Sequence, residues 1–251
     1  MIPNPAGGYG FLAGIDPYSS GVAALRGYEI VHCTLETALP WRDAFGAIGE
    51  YLADRALPIN SLCGLELRCP APRSFDGFAE FNTSYHDVLL EFDLLVDGLN
   101  PLARTNVAPV FAPPGAVVAH AFSFTRPVEA TVRRTFVGAG AGELVEDELH
   151  HTAVVRPGDT TPGAMTEKAR HVLATMSKRL AGLGASWRDV TTVDIYTALN
   201  PGEIVRAAVI PEIGAAASRG LHWYPAAPPV DSLAFEMDVR GVATELVVDL
   251  R

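Results

Sequence analysis

Apolar residues recur in this chain at two periods. Over residues 28–34 and 62–68 they form short aliphatic and β-branched runs bounded by turn residues, which predict strands. Between them Trp41, Phe45, Ile48 and Leu52 return at steps of three and four after Pro40, the stripe of an amphipathic helix opened by proline. Phe78, Phe81, Tyr85 and Val88 repeat that stripe beyond the break at Pro70-Ala-Pro. Strand-like runs follow Arg104 and, after Pro113-Pro114-Gly115, cover residues 117–124. The order predicted for the first half is β-α-β-α-β-β. Loop signals over residues 3–14 precede it, with a strand or hairpin at the front.

The second half repeats that order. Residues 132–137 read as a strand ending in Gly138-Ala-Gly-Ala-Gly142. From about Gly163, Met165, Ala169, Val172, Leu173, Met176 and Leu180 share one helical face, and the helix stops near Gly182 and Gly184. A strand over 190–196 is followed by a weaker helix over 201–217, interrupted by Pro211, and then by strands over 221–224, 233–239 and 243–248. Arg104 and Arg219 are each followed about ten residues later by a proline pair and then a strand. The halves do not align without gaps, because the second helix of the second half is shorter by about a dozen residues. The join falls near residues 125–131, giving units 1–127 and 128–251. A chain of 251 residues accommodates two such units.

Composition narrows the function. Hydrophobic residues make up 49%, enough for a sizeable core and against disorder. The formal net charge of −10, with no basic stripe, argues against a nucleic-acid partner. Only 19% of residues are charged, which fits faces buried between subunits or domains. Three cysteines, Cys33, Cys63 and Cys69, make no disulfide framework and fit a reducing compartment. No signal segment and no run of about 18 apolar residues is present, so a cytoplasmic protein away from membranes is expected.

Candidate chemistry is sparse. Arg104, at the mouth of a strand pair, offers a fixed fork of donors suited to a carboxylate. Glu236 alternates with Phe235 and Met237, so it faces away from them. His120 shares a face with Val118, Phe122 and Phe124, as a core histidine or as an imidazole acting on water or substrate. The glycine run 138–142 lacks the Lys-Ser/Thr of a phosphate loop. Adjacent His150 and His151 point opposite ways on a strand and cannot chelate together, and no HExxH or Ser-His-Asp order occurs, so no metal site is expected.

Three motifs in order carry a resemblance. Asp16-Pro17-Tyr18-Ser19, Phe81-Asn82-Thr-Ser-Tyr85 and Pro101-Leu-Ala-Arg-Thr105 resemble the Gly-Pro-Tyr-Ser opening, the Phe-Asn-x-x-Tyr helix and the Pro-Ala-Arg-Thr signature of the reactive intermediate deaminase (Rid, YjgF-like) family. The third motif carries one inserted residue. The second half resembles the family more weakly, through its helix over 165–181, Gly184-Ala-Ser-Trp-Arg-Asp-Val190, and Leu233-Ala-Phe-Glu-Met-Asp-Val239.

The resemblance implies an α+β fold of two tandem chorismate-mutase-like units, each a mixed sheet with two helices on one face. It also implies a homo-trimer with small-molecule sites between neighbours and no cofactor. Arg104 would hold the carboxylate of an imine or enamine acid, with Arg219 a second anchor by register. Glu236, or His120 at the matching first-half position, would handle water. Tyr18 and Asn82 would line the pocket, with Cys33 at the end of a strand lining it. Around Cys33, His32 and Thr34 depart from the family's Ser-Gly-Gln, which points to a different substrate. The expected activity is hydrolytic deamination of a small unsaturated carboxylate such as a 2-amino-2,4-dienoate. The alternatives are chorismatase-like hydrolysis of a cyclic enolpyruvyl acid and a non-catalytic binding module.

Overall fold

The computed structural model describes residues 1–14, 18–130, 133–145 and 150–251. Two mixed sheets pack face to face, and helices cover their outer faces. The first half supplies β4 (Tyr28–Pro40), α1 (Trp41–Ala53), β5 (Leu62–Arg68), α2 (Phe75–Glu91), β6 (Ala103–Pro109) and β7 (Val118–Pro127). The second supplies β8 (Phe136–Gly142), α3 (Pro162–Gly182), β9 (Thr192–Tyr196), β10 (His222–Tyr224) and β12 (Glu236–Gly241). Three front strands, β1 (Ile2–Asn4), β2 (Tyr9–Leu12) and β3 (Gly21–Ala24), and two further strands, β11 (Ala226–Ala227) and β13 (Thr244–Val248), complete the set.

The sheets exchange strands. One runs β11-β6-β5-β7-β4-β13 and the other β1-β2-β3-β8-β12-β9-β10. The front strands of the chain therefore extend the sheet built by its second half, through β3 against β8. The last strand, β13, lies parallel to β4 in the first sheet. Segment 3–14, expected as loop, holds β1 and β2, because pairing overrides its prolines and glycines.

The helices form where the stripes place them. Ser74 Oγ accepts the Gly77 N–H at 3.1 Å and opens α2. Phe45, Ile48 and Leu52 of α1 and Phe81, Tyr85 and Val88 of α2 pack with Leu65, Leu67, Phe122 and Phe124 in one core. Met165, Val172, Met176 and Leu180 of α3 pack with Val193, Ile195, Phe235 and Met237 in another. Each fully buried side chain of this size contributes roughly 1.5–3 kcal/mol. Beyond β9 the expected second helix breaks into an α-turn, a π-turn around Val205–Val209, a second α-turn holding Pro211, and a 3-10 stretch. A π-turn and an internal proline both disturb the i to i−4 ladder. No helix among the described residues is long and apolar enough to cross a membrane.

The glycine run 138–142, where the strand over 132–137 is expected to end, is most of strand β8. Glycine is required there by close approach. A Cβ on Gly138 would press on Val239, one on Gly142 on Leu233, and one on Gly140 on the carboxyl of Glu236. Between the sheets, Tyr9, Phe11, Val22 and Ile30 form an apolar patch. Beside it lies an unusual density of charge.

Candidate active site

Strand alternation sets the site. Thr105 of β6 turns toward the other sheet, where its hydroxyl donates to Asp238 at 2.7 Å. Its neighbours Arg104 and Asn106 turn the opposite way. The Arg104 guanidinium lies 4.5 Å from the Tyr85 ring centre and 5.6–5.8 Å from those of Phe81, Tyr18 and Phe78. Such faces attract a cation. Arg104 Nη2 donates to Asn82 Oδ1 at 2.6 Å. Arg104 is 3% exposed, yet its Nη1 has no hydrogen-bond partner among the described residues. Asn106 is 4% exposed, and both ends of its carboxamide lack partners among the described residues. Buried orphans of this kind are rare in folded proteins and call for an explanation.

These groups open on one recess. Tyr18, Arg104, Asn106, Gly140, Arg179 and Glu236 line it. Arg179 comes from the apolar face of α3 and donates to the Ala139 and Gly140 carbonyls at 2.8 and 3.3 Å. Glu236 is buried. Burial first, then the nearby Asp238 and Glu143, push its carboxyl well above the glutamate range, while Arg179 and Arg104 pull it back. A carboxyl biased toward its neutral form beside two guanidiniums can give a proton and, once ionised, take one. Burial lowers the hold of Arg104 on its proton, with Tyr85 and Tyr18 opposing. An arginine nevertheless remains charged at any working pH.

Of the residues singled out from sequence, the structure brings Arg104, Tyr18 and Glu236 to one pocket. Asn82 stands behind Arg104 and orients it rather than lining the recess. Cys33 is a correction. It lies fully buried in the core under α1, and burial pushes its thiol up to about 11. Arg219 is a second. It sits before β10, where its guanidinium donates to the Val190 and Arg188 carbonyls at 3.0 and 3.4 Å. The parallel pairing of β9 with β10 begins only at His222, so Arg219 precedes the strand that matches β6. Asp16 and Pro17 of the first motif lie outside the described residues. Asn106 and Arg179 escaped the sequence reading, although both left a signal. Asn106 is two residues from Arg104 on a strand, hence on its face. Arg179 is a charge adjoining an apolar helical stripe.

His120 is the third correction. The register of β7 against β4 and against β5 shifts at this residue, and the bulge removes it from the face of Phe122 and Phe124. It joins a polar cluster between the sheets, away from the recess. There Arg240 Nη1 donates to Asp194 Oδ2 at 2.5 Å and Arg68 Nη2 to Glu66 Oε2 at 3.2 Å. His32 Nε2 stands 3.6 Å from Glu66 Oε1, and the Tyr196 hydroxyl donates to Asp238 at 3.0 Å. Glu66, Asp194 and Asp238 come close enough to share an ion, but Arg68 and Arg240 already supply cations.

Burial and Arg68 hold His120 neutral, its pKa lowered to about 4, and burial lowers His32 as well. Below the ordinary histidine value near 6.5 the unfolded chain takes up protons that these rings refuse. Stability should therefore fall as pH drops through about 6.5 toward 4. His120→Gln is expected to flatten part of that slope, read by urea unfolding at a series of pH values. An unchanged slope would place the titration elsewhere.

Comparison with known proteins sets this geometry in a family. The 2-amino-5-chloromuconate deaminase of Comamonas testosteroni is 35% identical over 246 residues, covering 96% of each chain. Among solved structures a chorismatase overlaps 89% of this chain and 77% of its own at a TM-score of 0.53 and 14% identity, a likeness of fold. The Rid-family protein YyfB of Yersinia pestis covers 47% of this chain and 83% of its own, at a TM-score of 0.32 and 19% identity. The profile of the 2-aminomuconate deaminase CnbZ family matches residues 1–246, and the chain belongs to that family.

Proposed function

We propose that this chain hydrolytically deaminates a 2-aminomuconate-like dicarboxylate in the recess shared by Arg104 and Glu236. The observation that carries the reading is the pairing of two buried groups. Among the described residues Arg104 has a guanidinium nitrogen, Nη1, with no hydrogen-bond partner, and Glu236 has a carboxyl pushed toward its neutral form. The family and the 2-amino-5-chloromuconate deaminase relative supply the substrate class.

The substrate is an enamine conjugated with a second double bond. Neutral Glu236 donates its proton to the carbon chain, and the enamine becomes a protonated imine (iminium) with its 1-carboxylate on Arg104. Glu236, now a carboxylate flanked by Arg104 and Arg179, takes a proton from the attacking water as the new C–O bond forms at the imine carbon. Glu236 passes the water-derived proton to the carbinolamine nitrogen, the C–N bond breaks, and ammonia leaves as the hydroxyl proton returns to Glu236 and the C=O bond forms, which restores the neutral acid. The sum is enamine acid plus water giving 2-oxo acid plus ammonia. Arg104 comes from the first half of the chain and Glu236 from the second, so one chain furnishes both groups.

The test is ammonia release from a panel containing 2-aminomuconate, 2-aminoacrylate generated in place, and a cyclic enolpyruvyl acid. Turnover of 2-aminomuconate above the others is the expected result. Pyruvate release from the enolpyruvyl acid without ammonia from the amino acids would overturn it.

Gly140 gives an independent check. Its missing side chain makes room for the Glu236 carboxyl. Gly140→Ala should displace that group and lower kcat by about 10²-fold, the scale of a misplacement near one ångström. KM and the melting temperature should change little. Full activity in the variant would mean that the carboxyl need not stand where it does.

A further inference from the structure

We propose that Asn106 reads the substrate's 2-amino group and the carboxylate beside it. The inference rests on the deaminase reading above. Among the described residues lining the recess, Asn106 is buried at 4% exposure with both its Nδ2 and its Oδ1 unpartnered. Arg104, two residues back on the same face of β6, contributes one more unpartnered donor, Nη1. Among the recess-lining residues the orphan set therefore holds two donors and one acceptor, on residues two apart along one strand face.

Few small-molecule heads complement that set. A bare carboxylate satisfies the two donors and leaves Oδ1 empty. An alcohol or ammonium satisfies Oδ1 and leaves the arginine empty. A carboxylate with an N–H on the adjacent carbon satisfies all three. Arg104 Nη1–H and Asn106 Nδ2–H donate to the carboxylate, and Asn106 Oδ1 accepts the amino N–H. Turning the carboxamide over does not change the argument, since both ends are free. The bond to nitrogen also fixes the face on which the imine carbon meets water. A carboxamide without internal partners adds nothing to the fold, because an unsatisfied buried polar group is destabilising. A ligand in the recess would supply the partners that the fold does not.

The experiment compares wild type with Asn106→Ala and Asn106→Leu. It measures kcat/KM for ammonia release from 2-aminomuconate, the inhibition constant of muconate (the same diacid without the 2-amino group), and the melting temperature. Losing one charge-assisted hydrogen bond corresponds to roughly tenfold or more, and losing two to roughly a hundredfold or more. The variants should weaken muconate by about tenfold and lower kcat/KM for 2-aminomuconate by about a hundredfold or more, with no fall in melting temperature. Equal losses for both ligands would remove the amino-group role. No loss for either would remove Asn106 from the site, and a lower melting temperature alongside lost activity would make it structural. If wild type releases no ammonia from 2-aminomuconate, the deaminase reading fails and this inference with it. If wild type turns over and the variants match it, this inference alone fails.

Discussion

Replacing Arg104 with lysine is expected to lower kcat/KM for 2-aminomuconate by roughly tenfold to a few hundredfold, and replacing it with alanine by more. The guanidinium does two things at once. One nitrogen is fixed on Asn82 at 2.6 Å, and the other faces the recess unpartnered. Lysine offers a single ammonium and cannot hold both bonds in one plane. Hydrogen bonds to charged groups contribute about 1.5–3 kcal/mol each, which sets the range. The fold should survive. The one side-chain hydrogen bond that Arg104 makes among the described residues is to Asn82, and removing a buried charge relieves its desolvation. Kinetics on the diacid and on its 1-methyl ester, with a melting curve, test this. An ester processed as well as the acid, or an Arg104→Ala protein that unfolds, would make the arginine structural.

Glu236→Gln should lower turnover by about 10²-fold or more and raise stability at the same time. Both effects follow from one cause. The folded carboxyl prefers its proton far more than the unfolded one, chiefly because it is buried. As pH rises above the ordinary glutamate range, the unfolded chain releases that proton and the folded chain keeps it. Wild-type stability is then progressively reduced, until the pH reaches the folded value and the difference levels off. Glutamine has no such term. The variant's advantage in unfolding free energy should be absent near pH 4, grow through neutral pH, and then flatten. The activity of wild type, which needs the neutral acid first, should decline on the alkaline side. A variant of unchanged stability at neutral pH would show that the carboxyl is ionised in the fold.

The sequence disclosed some of this and hid the rest for identifiable reasons. The stripes of α1, α2 and α3 are legible because their apolar residues are large and evenly spaced. Strand β8 is not, because glycines and alanines carry no period to read. Its glycines are dictated by what crosses them, including the Glu236 carboxyl. The exchange of β1–β3 and β13 between sheets depends on partners more than a hundred residues away, and no local pattern encodes it. Arg104, Tyr18 and Glu236 were found through motif resemblance, and the structure places all three around one recess. His120 was assigned to the wrong face because a bulge shifts the two-residue period by one. Arg219 matched only in its distance to a proline pair, a spacing that says nothing of strand register. Asn106 was legible through its two-residue offset from Arg104, but its importance rests on missing partners, which only a structure shows.

The central claim is that ammonia leaves a 2-amino-dienedioate in the recess between Arg104 and Glu236. The most direct measurement is ammonia released per diacid consumed, by wild type and by Arg104→Ala side by side, with both proteins verified as folded. The account predicts stoichiometric ammonia from wild type well above spontaneous hydrolysis, and release near background from the variant. Background rates from wild type, or equal rates from the two proteins, would contradict it.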